Sequence, residues 1–405
     1  MVYDCLIIGA GAAGLFAAAN SKGKTLVLEK MAQPGKKLLI AGHGRCNFTH
    51  AGNISEFFCH YGDHEKFIKY ALKSYTNVDV IKFFKERGLV ITEDKNGKLF
   101  PQSGNSADIL NILVSQVRKN GHSINLNQTV RSITFTGTEF RIETNNAVFE
   151  AKKLIIATGG KSYPATGSTG DGYALAKVLG HTIVQPEPSL SPVFIKNYPF
   201  RDLAGVSLKD CRVSLFRQGK KIREYSGDIG FTHNGLSGPG IIDFSRFLEA
   251  GDELKLNLCG IKTEDFHHKF IARVNENGKA TVQSFLKFSE IPKRLVLSIL
   301  QLLNINPEQR ISETGKERRT QLANAFCEFS VLIEKVGGFN VAMATAGGVS
   351  LDEVWPKSME SKIQPGLFFA GEVLDIDGDT GGYNLQAAFS TGFLAAQSVN
   401  LCIKV

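Results

Sequence analysis

Three glycines spaced Gly9-x-Gly11-x-x-Gly14, with Glu29 twenty residues after the first, are the residues whose types and spacing point most directly to chemistry. Gly9 permits a tight turn, Gly11 lets the backbone approach a pyrophosphate, and Gly14 lets a helix pack close to a strand. A helix opened by that turn, with Ala12 and Ala13 in its first turn, aims free N–H groups and a positive dipole end at the phosphates. Glu29 is placed to accept hydrogen bonds from the adenosine ribose hydroxyls, and a carboxylate there disfavours a 2′-phosphate. The pattern implies a dinucleotide and argues against NADP. It does not by itself separate FAD from NAD.

Other segments narrow the choice. The stretch GKKLLIAGHGRCNFTH (35–50) gathers Gly35, Gly42 and Gly44 with Lys36, Lys37, Arg45, Cys46 and Asn47 in one loop. Permissive backbone and many donors suit a diphosphate or an isoalloxazine ring. His43-x-x-Cys46 has the spacing of half a metal site, but no second ligand pair follows it. Cys46 has no resolving partner nearby in sequence, so it reads as a small packing residue as readily as a redox thiol. LIIATGG (154–160) is a second strand that ends in glycines, at Thr158, Gly159 and Gly160. The following KSYPATGSTGDGYALA (161–176), with Tyr163, either lines a substrate pocket or crosses to the next helix. At the far end, a strand finishes at Gly371-Glu372, and Gly381-Gly382 lead into a helix from about Asn384. That helix start favours negative charge on a flavin N1–C2=O edge. A nicotinamide domain does not need such closure from the far end of the chain, so FAD is the expected cofactor. Arg45 is a candidate for placing positive charge by the flavin, and Tyr163 or Glu372 for handling protons, but no catalytic residue is assigned.

The elements that must hold these residues follow from the apolar pattern. The run at 3–8, the turn at 9–14, a helix through 15–20 and a strand at 25–29 open a βαβ unit. One helix is expected over 63–88, ending at Gly88, and another over 106–119, before several alternating strands in 122–146. Pro186, Pro188 and Pro192 mark a domain exit. Segment 190–260 is strand-like, 263–330 is charged and helical, and a last strand (366–372) and helix (384–399) close the chain. An insert over about 186–345 therefore splits a nucleotide-binding domain made from both chain ends. The final helix is expected to pack beside the first βαβ unit.

Composition sets the wider frame. The 405 residues are 43% hydrophobic, enough for two or three domains with cores of their own. Lys plus Arg exceed Asp plus Glu by 47 − 39 = 8, a balance that suits a solvated surface or an anionic partner. The seven cysteines are scattered, with no C-x-x-C pair, which supports neither a disulfide framework nor a zinc site and fits a reducing cytoplasm. The first twenty residues are apolar but have no basic leader, so they read as strand, turn and helix. No apolar run is long enough for a spanning helix, and no membrane partner is expected.

Taken together, GAGAAG, GKKLLIAGHGRCNFTH, ATGGKSYPATGSTGDGY, EPSLSPV, GDIGFTHNGLSGPG and the stretch from ATAGGVS to FSTG resemble the HI0933-like flavoproteins. These are also described as the BaiN or aminoacetone-oxidase type, within the two-dinucleotide-binding-domain flavoproteins. The resemblance covers nearly the whole chain and is weakest over 260–330. It implies an α/β, Rossmann-like FAD-binding domain (1–185 and 346–405) interrupted by a small β-barrel (186–262 and 328–345) and a helical subdomain (263–327). It places FAD against Gly9, Gly11, Gly14, Glu29, Gly44, Arg45, Cys46, Asn47, Thr158, Gly159, Gly160, Gly371, Glu372, Gly382, Tyr383, Asn384, Leu385 and Gln386. Ala12, Ala13, Lys30, Lys37, Gly42, Val130, Tyr163 and Asp377 complete the expected set. His43 departs from the family's pattern, where a small residue is expected.

The family's members are described variously as amine oxidases, steroid-acting reductases or dehydrogenases. The expected function is an FAD-dependent oxidoreductase passing hydride between flavin N5 and a small molecule bound between the FAD domain and the insert. No second complete glycine-and-acid unit is present for a tightly held NAD(P)H, so transient NAD(P)H or oxygen is the expected electron partner. Two alternatives stand beside it: a flavoprotein acting on RNA, as tRNA-modifying flavoenzymes do, and a flavin-binding redox protein without turnover. The interleaving of basic with acidic residues argues against the RNA reading.

Overall fold

The computed structural model describes residues 1–403 and divides into two compact units, Met1–Ser189 with Ala342–Val405 and Leu190–Val341. In the first unit β1 (Val2–Ile8) leads through the glycine turn into α1 (Ala12–Asn20) and then β2 (Thr25–Leu28). After α2 (Lys36–Ile40) come β3 (Thr49–His50), α3 (Glu65–Ser74), α4 (Asn77–Lys85), β4 (Ile91–Glu93), β5 (Lys98–Pro101) and α5 (Ala107–Lys119). The strands β6 (Ser123–Asn125), β7 (Val130–Phe135), β8 (Phe140–Thr144) and β9 (Val148–Ile156), helix α6 (Asp171–Val178) and β10 (Ile183–Ser189) finish this part.

The second unit is a barrel carrying helices. Its strands are β11 (Val193–Ile195), β12 (Ser207–Arg217), β13 (Lys220–Phe231), β14 (Gly235–Ser237), β15 (Glu253–Asn257) and β16 (Phe329–Val336). They close in the order β11-β14-β13-β12-β15-β16, which leaves no free sheet edge. Helix α7 (Pro239–Ile242) sits in the β14–β15 connection, and α8 (Thr263–Asn277), α9 (Val282–Phe285), α10 (Lys293–Leu302) and α11 (Lys316–Cys327) lie between β15 and β16. Alternating burial along β15 and a core including Leu254, Leu256, Phe266, Phe270 and Phe326 hold the unit together.

The chain then returns to the first unit through β17 (Ala344–Val349), β18 (Leu367–Phe369) and α12 (Tyr383–Cys402). The main sheet runs β6-β2-β1-β9-β8-β7, with β18 added against β9. Its centre is parallel: Cys5–Ile8 pair with Thr25–Leu28 on one side and Lys153–Ile156 on the other. A parallel strand covered on both faces must be apolar throughout, and Cys5, Leu6, Ile7 and Ile8 are all buried. This is the expected Rossmann-type α/β fold. As the chain order predicts, α12 lies on α1: a Cβ on Gly392 would stand 2.5 Å from the Ala13 carbonyl oxygen, and Phe389 packs on Phe16 with ring centroids 4.9 Å apart.

One local expectation is corrected. The single helix expected over 63–88 is two, because Tyr75 is extended (φ −148°) and Thr76 caps α4. Thr76 Oγ1 accepts from the Asp79 N–H while Asp79 Oδ2 accepts from the Thr76 N–H, a reciprocal capping box that starts a helix where the apolar spacing continues one.

Candidate functional site

The three glycines of the turn at the tip of β1 differ in what an added Cβ would meet. Gly9 has φ +104°, and a Cβ there would lie 2.5 Å from the Ala157 carbonyl oxygen. At Gly14 a Cβ would lie 1.9 Å from the Gly9 carbonyl oxygen. At Gly11 the backbone is ordinary extended chain (φ −84°, ψ −169°), and a Cβ would meet nothing within 4 Å. Two glycines are forced by the protein's own packing; the third faces open space. Gly11 also caps α1, whose first N–H groups have no acceptor within the helix, so the donors of the helix start lie beside that space.

Glu29 leaves the end of β2 beside it. Its Oε2 accepts from the Ala10 N–H at 2.8 Å and its Oε1 from the Met31 N–H at 2.9 Å, so the carboxyl is oriented next to the turn. Lys30 points the other way: its Nζ meets Thr169 Oγ1 and Asp171 Oδ2, both at 2.5 Å. Burial opposes ionisation of Asp171, but the hydrogen bonds from Lys30 and Thr169 win and hold its carboxyl below the usual range. Val130 opens β7, half-buried.

The 35–50 loop is a run of left-handed backbone: Gly42, His43, Gly44 and Cys46 all have positive φ. Arg45 lies over the Phe100 ring, 4.8 Å from its centroid. Asn47 donates through Nδ2 to the carbonyls of Thr49 and Leu99, so its amide braces β3 against β5. Cys46 is fully buried, and burial pushes its thiol up to about 12; it is an inert packing residue. His43 is exposed.

Lys37, on α2, joins the far end of the chain. Its Nζ lies 2.7 Å from Glu372 Oε2 and 2.5 Å from Ser162 Oγ. Glu372 Oε1 also accepts from the Thr345 N–H at 2.8 Å, and Thr345 Oγ1 accepts from the N–H groups of Lys161 and Ser162. Gly160 is glycine because a Cβ would lie 2.4 Å from that same Thr345 hydroxyl. Sequence reasoning named Lys37, Gly160 and Glu372 but missed Ser162 and Thr345, which knit them together. In the same region Thr158 Oγ1 and Tyr173 Oη are buried with no hydrogen-bond partner. Burial and the nearby Glu372 and Asp375 charges push the Tyr173 hydroxyl far above its ordinary value.

The C-terminal turn is braced from several sides. Gly371 (φ +75°) presses on Ala13 and donates to Thr391 Oγ1, and Gly382 (φ +98°) lies against the Thr49 backbone. Asn384 forms a two-way bridge with the Gly378 backbone, and Ser189 donates to buried Asp377 at 2.5 Å. Leu385 is half-buried. Gln386 is fully buried; it accepts from Thr49 Oγ1 and donates to Ser390 Oγ and the Tyr75 carbonyl, so its side chain acts inside the protein. Tyr383 stacks under His60, with centroids 3.9 Å apart and rings 14° from parallel, and His60 Nδ1 is 3.0 Å from Asp379 Oδ2. Neither His60 nor Asp379 was distinguishable in sequence from ordinary surface residues. Tyr163, at φ +53°, starts the turn at 164–166.

These residues fit FAD. The open face of Gly11 admits a pyrophosphate, Glu29 stands where a ribose diol would be bound, and the buried Thr158 hydroxyl offers an unused hydrogen bond. His233 and Asn234, also noted in sequence, are exposed on the turn between β13 and β14 of the other unit.

A family model described as HI0933-like protein Rossmann domain matches residues 3–398. The chain is 33% identical over 404 residues to a 3-dehydro-bile acid delta(4,6)-reductase of Clostridium scindens, covering 97% of this chain and 98% of that protein. It is 32% identical over 408 residues to a ribosomal RNA dihydrouridine synthase of Escherichia coli, covering 98% of each. Among solved structures it resembles 3-ketosteroid delta1-dehydrogenase from Sterolibacterium denitrificans in complex with 1,4-androstadiene-3,17-dione. That match has TM-score 0.52 and 12% identity, over 99% of this chain and 100% of the other, and it speaks to the fold alone. Among the described residues no helix is long and apolar enough to cross a membrane.

Proposed function

Because the chain belongs to the HI0933-like flavoproteins and is an FAD-dependent oxidoreductase, we propose that it is a reductase saturating a carbon–carbon double bond conjugated to a carbonyl in a small molecule. The observation that carries this reading is a chemistry common to the two relatives' names. A 3-dehydro-delta(4,6) steroid presents a dienone, and uridine presents a C5–C6 double bond conjugated to a carbonyl. FAD, when bound, supplies hydride from N5 to the electron-poor carbon. The chain's own residues bind and orient it. Gly11 and the start of α1 take the pyrophosphate, Glu29 the ribose, and the turn around Gly371 and Gly382 the flavin end. Saturation also needs a proton on the neighbouring carbon. Lys37 Nζ, hydrogen-bonded to both Ser162 Oγ and Glu372, is the group to which we assign that supply.

A second reading, the same reduction on a uridine of RNA, is favoured by the name of the Escherichia coli relative and by the net charge of +8. Both are tested by one anaerobic experiment. The purified, FAD-loaded protein is reduced with NADH or NADPH and then mixed separately with a 3-keto-4,6-diene steroid, simpler conjugated enones, and ribosomal RNA. Return of the oxidised flavin spectrum with a small enone, and product of two mass units more, supports the proposal. Reoxidation by RNA alone, with dihydrouridine formed, replaces it with the second reading. Reoxidation only on admitting oxygen sinks both.

A further inference from the structure

In the barrel unit, Cys259 and Cys327 stand 68 positions apart in the chain, yet their sulfurs are 3.4 Å from one another. Cys259 follows the end of β15, and Cys327 is the last residue of α11. The N–H groups of Leu258 and Cys259 both donate to the Phe326 carbonyl, at 2.9 and 3.1 Å, so the two segments are stitched together beside the sulfurs. Closing the gap to a disulfide's roughly 2.05 Å needs only side-chain movement of about an ångström. Both residues are buried, but Cys327 lines a cavity of about 270 Å³ together with Lys255, Asn257, Lys262 and Glu328. A small solute entering that cavity meets Cys327, whose sulfur touches that of Cys259.

We propose that Cys259 and Cys327 form a redox-active dithiol, which hydrogen peroxide oxidises to a disulfide locking the end of α11 to the exit of β15. In the first step one thiolate of the pair attacks one oxygen of hydrogen peroxide, the O–O bond breaks, and a sulfenic acid and one water result. In the second, the other cysteine's sulfur attacks the sulfenic sulfur, the S–O bond breaks, and the oxygen leaves as a second water. Two thiol hydrogens and two electrons pass to the peroxide, and nothing else is consumed. The two thiols are hydrogen-bonded to one another, and either sulfur can be the donor; Cys327 is the one that lines the cavity. Cys211, close by, is a spectator: its thiol donates to the Asn257 carbonyl at 3.3 Å, and burial pushes it up to about 12. This inference rests on the barrel unit alone and does not depend on the flavin reaction.

The full-length, FAD-loaded protein is treated with a small molar excess of hydrogen peroxide, alkylated under denaturing conditions and digested without reductant. The expected result is a cross-linked peptide joining Cys259 to Cys327, with two of the seven thiols lost and both restored by dithiothreitol. In Cys327→Ser or Cys259→Ser, dimedone is expected to label the cysteine of the pair that remains. Oxidation of the exposed Cys59 and Cys402, with Cys259 and Cys327 recovered singly alkylated, overturns the proposal. Dimedone on neither residue in Cys327→Ser and Cys259→Ser overturns the sulfenic-acid route. If a variant does not fold, the wild-type peptide map decides alone.

Discussion

Lys37 and Glu372, 335 positions apart, form a two-point ion pair, with Nζ 2.7 Å from one carboxylate oxygen and 3.1 Å from the other. The side chains are 27% and 21% exposed, so neither charge is well hydrated on its own. Replacing Lys37 leaves Glu372 with only the Ser162 hydroxyl and the Thr345 N–H. Lys37→Met and Glu372→Gln are each expected to lower unfolding stability by about 1–3 kcal/mol. The double variant should lose less than the sum, by roughly 0.5–2 kcal/mol of coupling. Denaturant unfolding of the four proteins measures this; additive losses would show that the pair contributes no joint stabilisation.

Gly11 and Gly14 separate ligand binding from folding. Gly14→Ala drives a methyl into the Gly9 carbonyl, an atom that moves only with the strand. It is expected to cost about 1–3 kcal/mol or more in stability and to lose FAD with it. Gly11→Ala meets no protein atom and no backbone strain. The FAD-free protein should unfold within about 0.5 kcal/mol of wild type, while FAD affinity drops roughly a hundredfold, or about 2.7 kcal/mol. Flavin titration against urea unfolding of the apoprotein distinguishes the two. Wild-type FAD affinity in Gly11→Ala would mean the open space is not the cofactor's.

The contrast also shows what was readable from the chain. The glycine spacing, the apolar run of β1 and the placement of Glu29 are local patterns, and each has its expected structural setting. The alternation in 190–260 revealed strands, but their closure into a barrel depends on β15 and β16 pairing across the 71 residues (258–328) between them. Lys37 and Glu372 were each singled out, yet their pairing is a product of β18 adding to the sheet beside β9. Ser162 and Thr345 carry no signal of their own, because their value lies in a contact made 183 positions apart. At Thr76 a helix start was legible in Thr-x-x-Asp, but the apolar spacing running through it was the louder pattern.

His43 occupies left-handed backbone at φ +57°, between two glycines that also have positive φ. The steric cost of that conformation for a residue with a Cβ is about 1–2 kcal/mol, which accounts for the small residue the family pattern leads one to expect. The side chain is exposed, so little packing is lost on its removal. His43→Gly is expected to raise stability by about 0.5–1 kcal/mol after the added freedom of the unfolded chain is counted, with FAD affinity unchanged. His43→Ala should not show the gain. Thermal unfolding of the three proteins, with flavin release followed in parallel, provides the check.

Asp375 sets a pH dependence of definite sign. Burial pushes its carboxyl above the ordinary value of 3.8, while His64, whose Nε2 is 3.7 Å from Oδ1, and the Gly347 N–H pull it back, and Asp377 adds to the rise. The folded protein therefore holds this proton more tightly than the unfolded chain does. The group's contribution to stability is full below 3.8 and is lost as pH rises through its folded value. Asp375→Asn keeps an oxygen for the Gly347 N–H and removes the charge that burial disfavours. Relative to wild type, the variant should be more stable at neutral pH, with an advantage that shrinks as pH falls toward 3.8. Urea unfolding of both proteins at intervals between pH 4 and 8 gives the difference directly. A difference that stays flat across that range would show that Asp375 titrates in the folded protein as it does in the unfolded chain, and that His64 and Gly347 fully offset its burial.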